Sequence, residues 1–305
     1  MIPAAIICWP KIQQSVVVNN MVRACREFDV DLKKVPMPNG CTSGHQYELI
    51  RQYKNAIAWC CPAVPEEVQK KQCNILFFEN ALLNTADCFY LDDHGYGVNS
   101  NIVALGFNRR KNPPSNIQET REYLSKLGWP MDHGFARQGH ILIALQAKTI
   151  EDRELLQKCE DFLPLNARVV VRPHPGNVLA ERTQIYEEFC LRNHWSIDTV
   201  ASPFESLKGT RALVTNFSSL LFKALAMSIP VAACMRGFHS GTSAVLDCSR
   251  NPEMLKHILH YKFDREASDN LLHAVQSESL SRTASVEEVL RNTNFANWLA
   301  RIRIH

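Results

Sequence analysis

Short apolar runs alternate with amphipathic segments along the 305-residue chain, and this alternation narrows the fold further than any other feature. AAIICW is followed by a helical stretch near residues 15–28, DLKKVPM by a helix near 46–54, AIAWCC by a helix near 65–72, and then comes NILFFE. Such a rhythm predicts parallel strands joined by crossover helices, the doubly wound α/β layout. It breaks between residues 107 and 137 into FNRRKNPPSN, a predicted helix from Ile117 to Leu127, and the Gly- and Pro-rich GWPMDHGFARQG. Linkers and substrate loops have this composition.

The rhythm then restarts. HILIALQ, ARVVVRPHP, WSIDTV, RALVTN and PVAACM read as strands, with EDRELLQKCEDFL, LAERTQIYEEFCLRN and SSLLFKALAMS as helices among them. Two Rossmann-like domains are therefore expected, 1–135 and 136–285, with SVEEVLRNTNFANWLARIR in 286–305 as one helical stretch that packs back on the first. The apolar content of 46% supplies enough material for two medium cores, so the chain length and the pattern agree.

Composition excludes several classes. MIPAAIICWP has no basic leader, contains Pro3 and Pro10, and is far shorter than the roughly 20 residues of a membrane span, so it is expected to be a buried first strand. No other uncharged stretch reaches spanning length, which points to a soluble, cytoplasmic chain. Eleven scattered cysteines, among them the adjacent Cys60 and Cys61, fit reduced thiols packed as small hydrophobes. CxxC and HxxxH are absent, so no metal or other cofactor is expected. A net charge of +3 falls short of a dedicated nucleic-acid binder. GxGxxG and GxxxxGK[ST] are absent as well, which leaves NAD-type and P-loop chemistry without a motif.

Three places can carry chemistry. Arg172-Pro173-His174-Pro175-Gly176 stands at the carboxyl end of VVVR, where open α/β sheets gather ligands. Its prolines restrict the backbone around His174 and aim an imidazole suited to a phosphate or a departing oxygen; the other reading is a stiffened turn that the histidine caps. Thr215-Asn216-Phe217-Ser218-Ser219 opens a helix after RALVT, either as an anion cradle or as an ordinary serine cap. Glu79, ending NILFFE, and Asp152, beyond HILIALQ, are carboxylates suited to base or nucleophile work in glycosyl transfer, or else solvated helix caps.

FFENALLN, FYLDDHGYGVNS, LIALQAKTIED, VVVRPHP and TNFSSLLFKALAMSIPV occur in an order that resembles the motifs of the bacterial capsular polysaccharide β-Kdo transferases. The resemblance covers roughly residues 70–245 and extends more loosely to bacterial sialyltransferases. It implies a GT-B fold with the active site in the cleft between its domains, the acceptor on the N-terminal side and the nucleotide-sugar on the C-terminal side. It further implies metal-independent transfer of a Kdo-like 2-keto sugar acid from a CMP donor to a glycan acceptor, by double displacement. Glu79 becomes the acid/base, Asp152 the nucleophile and His174 a phosphate neighbour. Arg172, Asn216, Ser218, Ser219 and Lys223 then surround the nucleotide, and Gln146, Asp93 and His239 of the loop GFHSGTS are donor or acceptor contacts.

Lys223 stands where that family has a glutamate, and Ala81 where it has a glycine. A UDP-sugar donor therefore stays open, as does a modified DNA base as acceptor, for which Arg109, Arg110, Lys111 and Arg137 are the candidate phosphate contacts. So does a non-catalytic module that binds nucleotide or glycan.

Overall fold

The computed structural model describes the backbone of residues 1–38, 43–59, 74–84, 86–93, 100, 117–146, 149–175 and 180–304, and their side chains except at 43–46, 180–182 and 303–304. The helix expected near 65–72, the Cys60–Cys61 pair, Gly176 and the basic cluster Arg109 to Lys111 lie outside these residues. Two compact units form, one from Met1–Gly106 with Ala274–His305 and the other from Phe107–His273.

In the first unit, β1 (Ile2–Cys8) pairs in parallel with β2 (Val30–Pro36) and β3 (Asn55–Trp59), and β3 pairs in parallel with β4 (Asn74–Asn80). The parallel expectation stops there. β5 (Cys88–Asp92) runs antiparallel to β4, and β12 (Ser279–Ser281) antiparallel to β5. The connection 81–87 is shorter than the dozen or so residues that a crossover needs, so only a reversal is possible.

The helix Val16–Arg26 buries Val17, Val18, Met21, Ala24 and Cys25, one stripe at helical spacing, against this sheet. The last stretch is two helices, Val286–Arg291 and Thr293–Ile304, not one, because the chain is extended at Asn292. Ser285 and Glu288 form a capping box at the start of the first. The second buries Phe295, Trp298, Leu299 and Ile302 in the same core as β1, β3 and β4. Trp298 Nε1 donates to the Asn74 carbonyl at 3.1 Å, and Asn74 Nδ2 donates to the Trp298 carbonyl at 3.1 Å.

In the second unit, β6 (His140–Ala144) lies between β7 (Val169–Arg172) and β9 (Thr210–Thr215), and the sheet continues outward to β8 (Ser196–Ile197), β10 (Val231–Ala233) and β11 (Leu246–Asp247). Every pairing is parallel. Reading from β8 to β11, the order of strands by sequence is 3-2-1-4-5-6, which is the Rossmann order.

The division at Gly106 falls well before the boundary expected at residue 136, and the contacts of the helix Ile117–Lys126 explain why. Arg121 bonds Asp269 at 2.7 Å and Thr120 bonds His273 at 2.8 Å, both within the second unit. The chain returns to the first unit at Ala274, inside the helix Arg265–Ser277 and before the expected residue 286. Among the described residues no helix is long and apolar enough to cross a membrane.

Trp298 is fully buried, so its replacement tests how much of the first unit depends on the final helix. Trp298→Ala is expected to destabilise that unit by about 3–5 kcal/mol through the lost ring and the cavity left behind. Urea denaturation followed by tryptophan fluorescence and circular dichroism should show an earlier transition for one unit and an unchanged one for the other.

Candidate functional site

The carboxyl ends of β6, β7 and β9 meet where the strand order reverses, the place at which open parallel sheets bind ligands. A pocket of about 200 Å³ opens there, with Arg172, His174, Ser218, Ser219 and Lys223 as its polar lining. No carboxylate lines it among the described residues.

Local bonds hold these strand ends together. Thr215 Oγ1 donates to the Ala144 carbonyl at 3.1 Å, tying β9 to β6. Asn216 Nδ2 donates to the Glu151 carbonyl at 2.8 Å, tying β9 to the first turn of the helix Thr149–Phe162. Asn216 is therefore a brace, almost fully buried, where the sequence pointed to a nucleotide contact.

Asp152 is 4% exposed and shares a helix face with Leu155, Leu156 and Cys159. Its Oδ1 accepts the Gln146 backbone N–H at 2.8 Å. The carboxylate is thus neither a solvated cap nor freely rotating. Gln146 enters this arrangement through its main chain.

Ser218 Oγ accepts the Leu220 N–H at 3.2 Å, so it caps the two-turn helix Leu220–Ala226 and keeps its own hydroxyl hydrogen to donate. Ser219 makes no side-chain cap bond. His174 is exposed at the pocket rim.

Arg172 departs most from the sequence expectation. Its Nη1 donates to Asp198 at 2.6 Å, to the Val200 carbonyl at 2.8 Å and to Ser206, and its Nη2 to the Ala201 carbonyl at 3.2 Å. Hence the guanidinium is committed to residues 198–206 and is not a free phosphate clamp. The Asp198 side chain is only 5% exposed. Burial by itself would raise its pKa; the Ser206 hydroxyl, the Val200 N–H and Arg172 outweigh that and hold it below the usual carboxylate range.

Lys223 keeps its charge for the pocket. Its Nζ sits 4.8 Å from the Trp129 ring centroid and 5.9 Å from that of Phe204. Burial pushes its ammonium below the usual lysine range. Sequence patterning missed Trp129, Phe204 and Asp198. The strand register explains the Asp198 contact: Val171 pairs with Ile197, which makes Arg172 and Asp198 the next neighbours.

His239, which the resemblance makes a donor or acceptor contact, is 1% exposed, and burial pushes its imidazole pKa down to about 4. Gly237 beside it cannot carry a side chain. An added Cβ would stand 2.4 Å from the Phe217 ring, which precedes Ser218 in the chain.

Two expected residues lie in the first unit. Glu79 is at the end of β4, facing Tyr90 of β5 in register, and its Oε1 accepts the Asn80 N–H at 2.7 Å. Asp93 is an ion-pair partner of Arg301 at 2.5 Å, and Arg301 also bonds the Asp93 carbonyl and Asn74. Among the described residues no group of three or more His, Cys, Asp or Glu is placed to hold a metal ion.

No protein-family model matches the chain, and no curated protein matches it in sequence. Its fold is similar to two solved structures of KpsC from Thermosulfurimonas dismutans. The beta Kdo 2,7 transferase has a TM-score of 0.55 at 15% identity, covering 94% of this chain and 98% of that one. The beta Kdo 2,4 transferase has a TM-score of 0.51 at 12% identity, covering 90% of each chain. The likeness is one of fold: two Rossmann-like units of the GT-B glycosyltransferase type.

Arg172→Met leaves Asp198 buried without its cation and is expected to destabilise the second unit by about 3–5 kcal/mol near neutral pH. Because the folded pKa of Asp198 is depressed, its contribution is full above the unfolded value near pH 3.9 and is lost as pH falls through the folded value. Denaturation midpoints from pH 7 to pH 2.5 should therefore fall steeply in the wild type and less steeply in the variant.

Proposed function

We propose that the chain is a glycosyltransferase that takes its sugar from a nucleotide-linked donor, with the nucleotide phosphate in the pocket at the ends of β6, β7 and β9. The observation that carries this is the lining of that pocket: Ser218, Ser219, His174 and Lys223 meet at the switch point of a Rossmann-ordered sheet, with no carboxylate among the described lining residues. Hydroxyl donors and a cation set at a place where charge develops on a leaving phosphate lower the barrier to its departure.

The finer assignment follows the resemblance in the motifs and the names of the two fold neighbours, both β-Kdo transferases. The donor is a CMP-linked sugar acid of the Kdo type and the acceptor a glycan. Asp152 attacks the anomeric carbon as the bond to the phosphate oxygen breaks, and the acceptor hydroxyl then displaces Asp152. The Gln146 N–H supports the Asp152 role by fixing one carboxylate oxygen at 2.8 Å, so that the side chain is held in one orientation. Glu79 keeps the acid/base role that the resemblance implies, and proton transfer to it leaves the acceptor oxygen free to attack.

Isothermal titration with CMP, UDP and their sugars tests the proposal. CMP and CMP-Kdo are expected to bind; binding of UDP-sugars alone would replace the donor, and no binding of any nucleotide would sink the idea. Asp152→Asn is expected to lower turnover of the bound donor by at least about 10³-fold while changing donor affinity little, as befits a nucleophile that acts after binding. Wild-type rates in that variant, measured as nucleotide release by mass spectrometry, would remove Asp152 from the mechanism.

A further inference from the structure

Two aromatic rings determine how the pocket holds its charge. Trp129 comes from the segment before β6 and Phe204 from the helix Pro203–Lys208 beyond β8, and their rings pack edge to face at 5.6 Å. Lys223 Nζ rests over both. A ring face attracts a cation without neutralising it.

The acids described on the segments that carry the two rings are engaged: Asp132, three residues after Trp129, pairs with Arg121, and with Arg265 at 2.6 Å. Glu205, on the helix that carries Phe204, pairs with Lys208 at 2.7 Å, and Asp198 pairs with Arg172. Lys223 forms no ion pair among the described residues, and burial alone accounts for its depressed pKa. A half-buried cation with no counter-charge among the described residues is an unfavourable arrangement that a bound anion relieves.

Arg172 contributes at one remove. Its guanidinium bonds go to the segment 198–206, which carries Phe204. The Ser202 hydroxyl accepts the Glu205 N–H in that segment, so its short helix is capped as well as stapled.

We infer that Lys223, seated on Trp129 and Phe204, is the specificity-determining residue of this pocket: it pairs with the phosphate of the ligand and thereby selects a nucleotide over its uncharged nucleoside. Arg172 is a positioning residue that acts through Phe204. This rests on the pocket being a nucleotide site, and it adds which residue reads the charge and what holds that residue in place.

The test is isothermal titration of the full chain with CMP, UDP, cytidine and uridine, in the wild type, Lys223→Met and Lys223→Arg. Loss of a charge-assisted bond is expected to weaken the better-binding nucleotide by about 10- to 100-fold in Lys223→Met and to leave its nucleoside unchanged. Lys223→Arg should recover most of that loss. Phe204→Leu should weaken the nucleotide by about 2- to 5-fold, the share of one cation–ring contact, again without effect on the nucleoside. Melting curves establish that each variant folds, and Lys223→Gln takes the place of Lys223→Met if the latter does not. Equal losses for nucleotide and nucleoside, or none for either, would overturn the role of Lys223 and leave the nucleotide site standing. A wild type that binds no nucleotide would overturn the site, and the inference with it.

Discussion

Parallel pairing on both sides of β6 is the constraint from which the candidate site follows. Parallel neighbours must be joined by crossovers, so each strand of the second unit delivers its next loop to the same edge of the sheet. β7 continues one way from β6 and β9 the other, which leaves a crevice outside the carboxyl ends of these three strands. Residues as distant in sequence as Leu145, His174 and Ser219 line one pocket for that reason.

Charge at this edge is arranged by burial rather than by number. Among the described residues the pocket has two side chains that are formally cationic, and they do different work: Arg172 has a counter-ion there and Lys223 has none. Arg172 is balanced by a carboxylate that is itself sheltered from water, and a planar guanidinium with several donors is suited to joining a strand end to a loop. Lys223 carries a compact charge on a flexible stem, and its partners are ring faces, which leave that charge available. The proline- and serine-bearing segment 198–206 links the two, since the residues that Arg172 grips are the ones that position Phe204.

Asp152 shows how much a side chain's setting depends on its helix. An acid in the first turn is common and usually solvated, but the stripe that contains Leu155, Leu156 and Cys159 turns this one inward. Its burial is tolerable because a main-chain N–H meets it. That stripe was visible in the letters, at spacings of three, four and seven from Asp152, and it separates this carboxylate from the neighbouring Glu151.

What the sequence determined by itself is what periodicity and chain length control. The alternation of apolar runs specified most of the strands and helices, the doubly wound character of the second unit and the strand ends at which RPHP and TNFSS would stand. Local chemistry could not specify the reversal at β5, the break at Asn292 or the placement of the helix Ile117–Lys126, because each depends on connection length or on partners far along the chain. The same limit applies to the site. Tertiary structure alone decided that Arg172 is a staple, that Asn216 is a brace, that Asp93 belongs to Arg301 and that Trp129 and Phe204 meet beneath Lys223. A side chain's charge is written in its residue type, but whether that charge is spent or available depends on which groups the fold brings within a few ångströms of it.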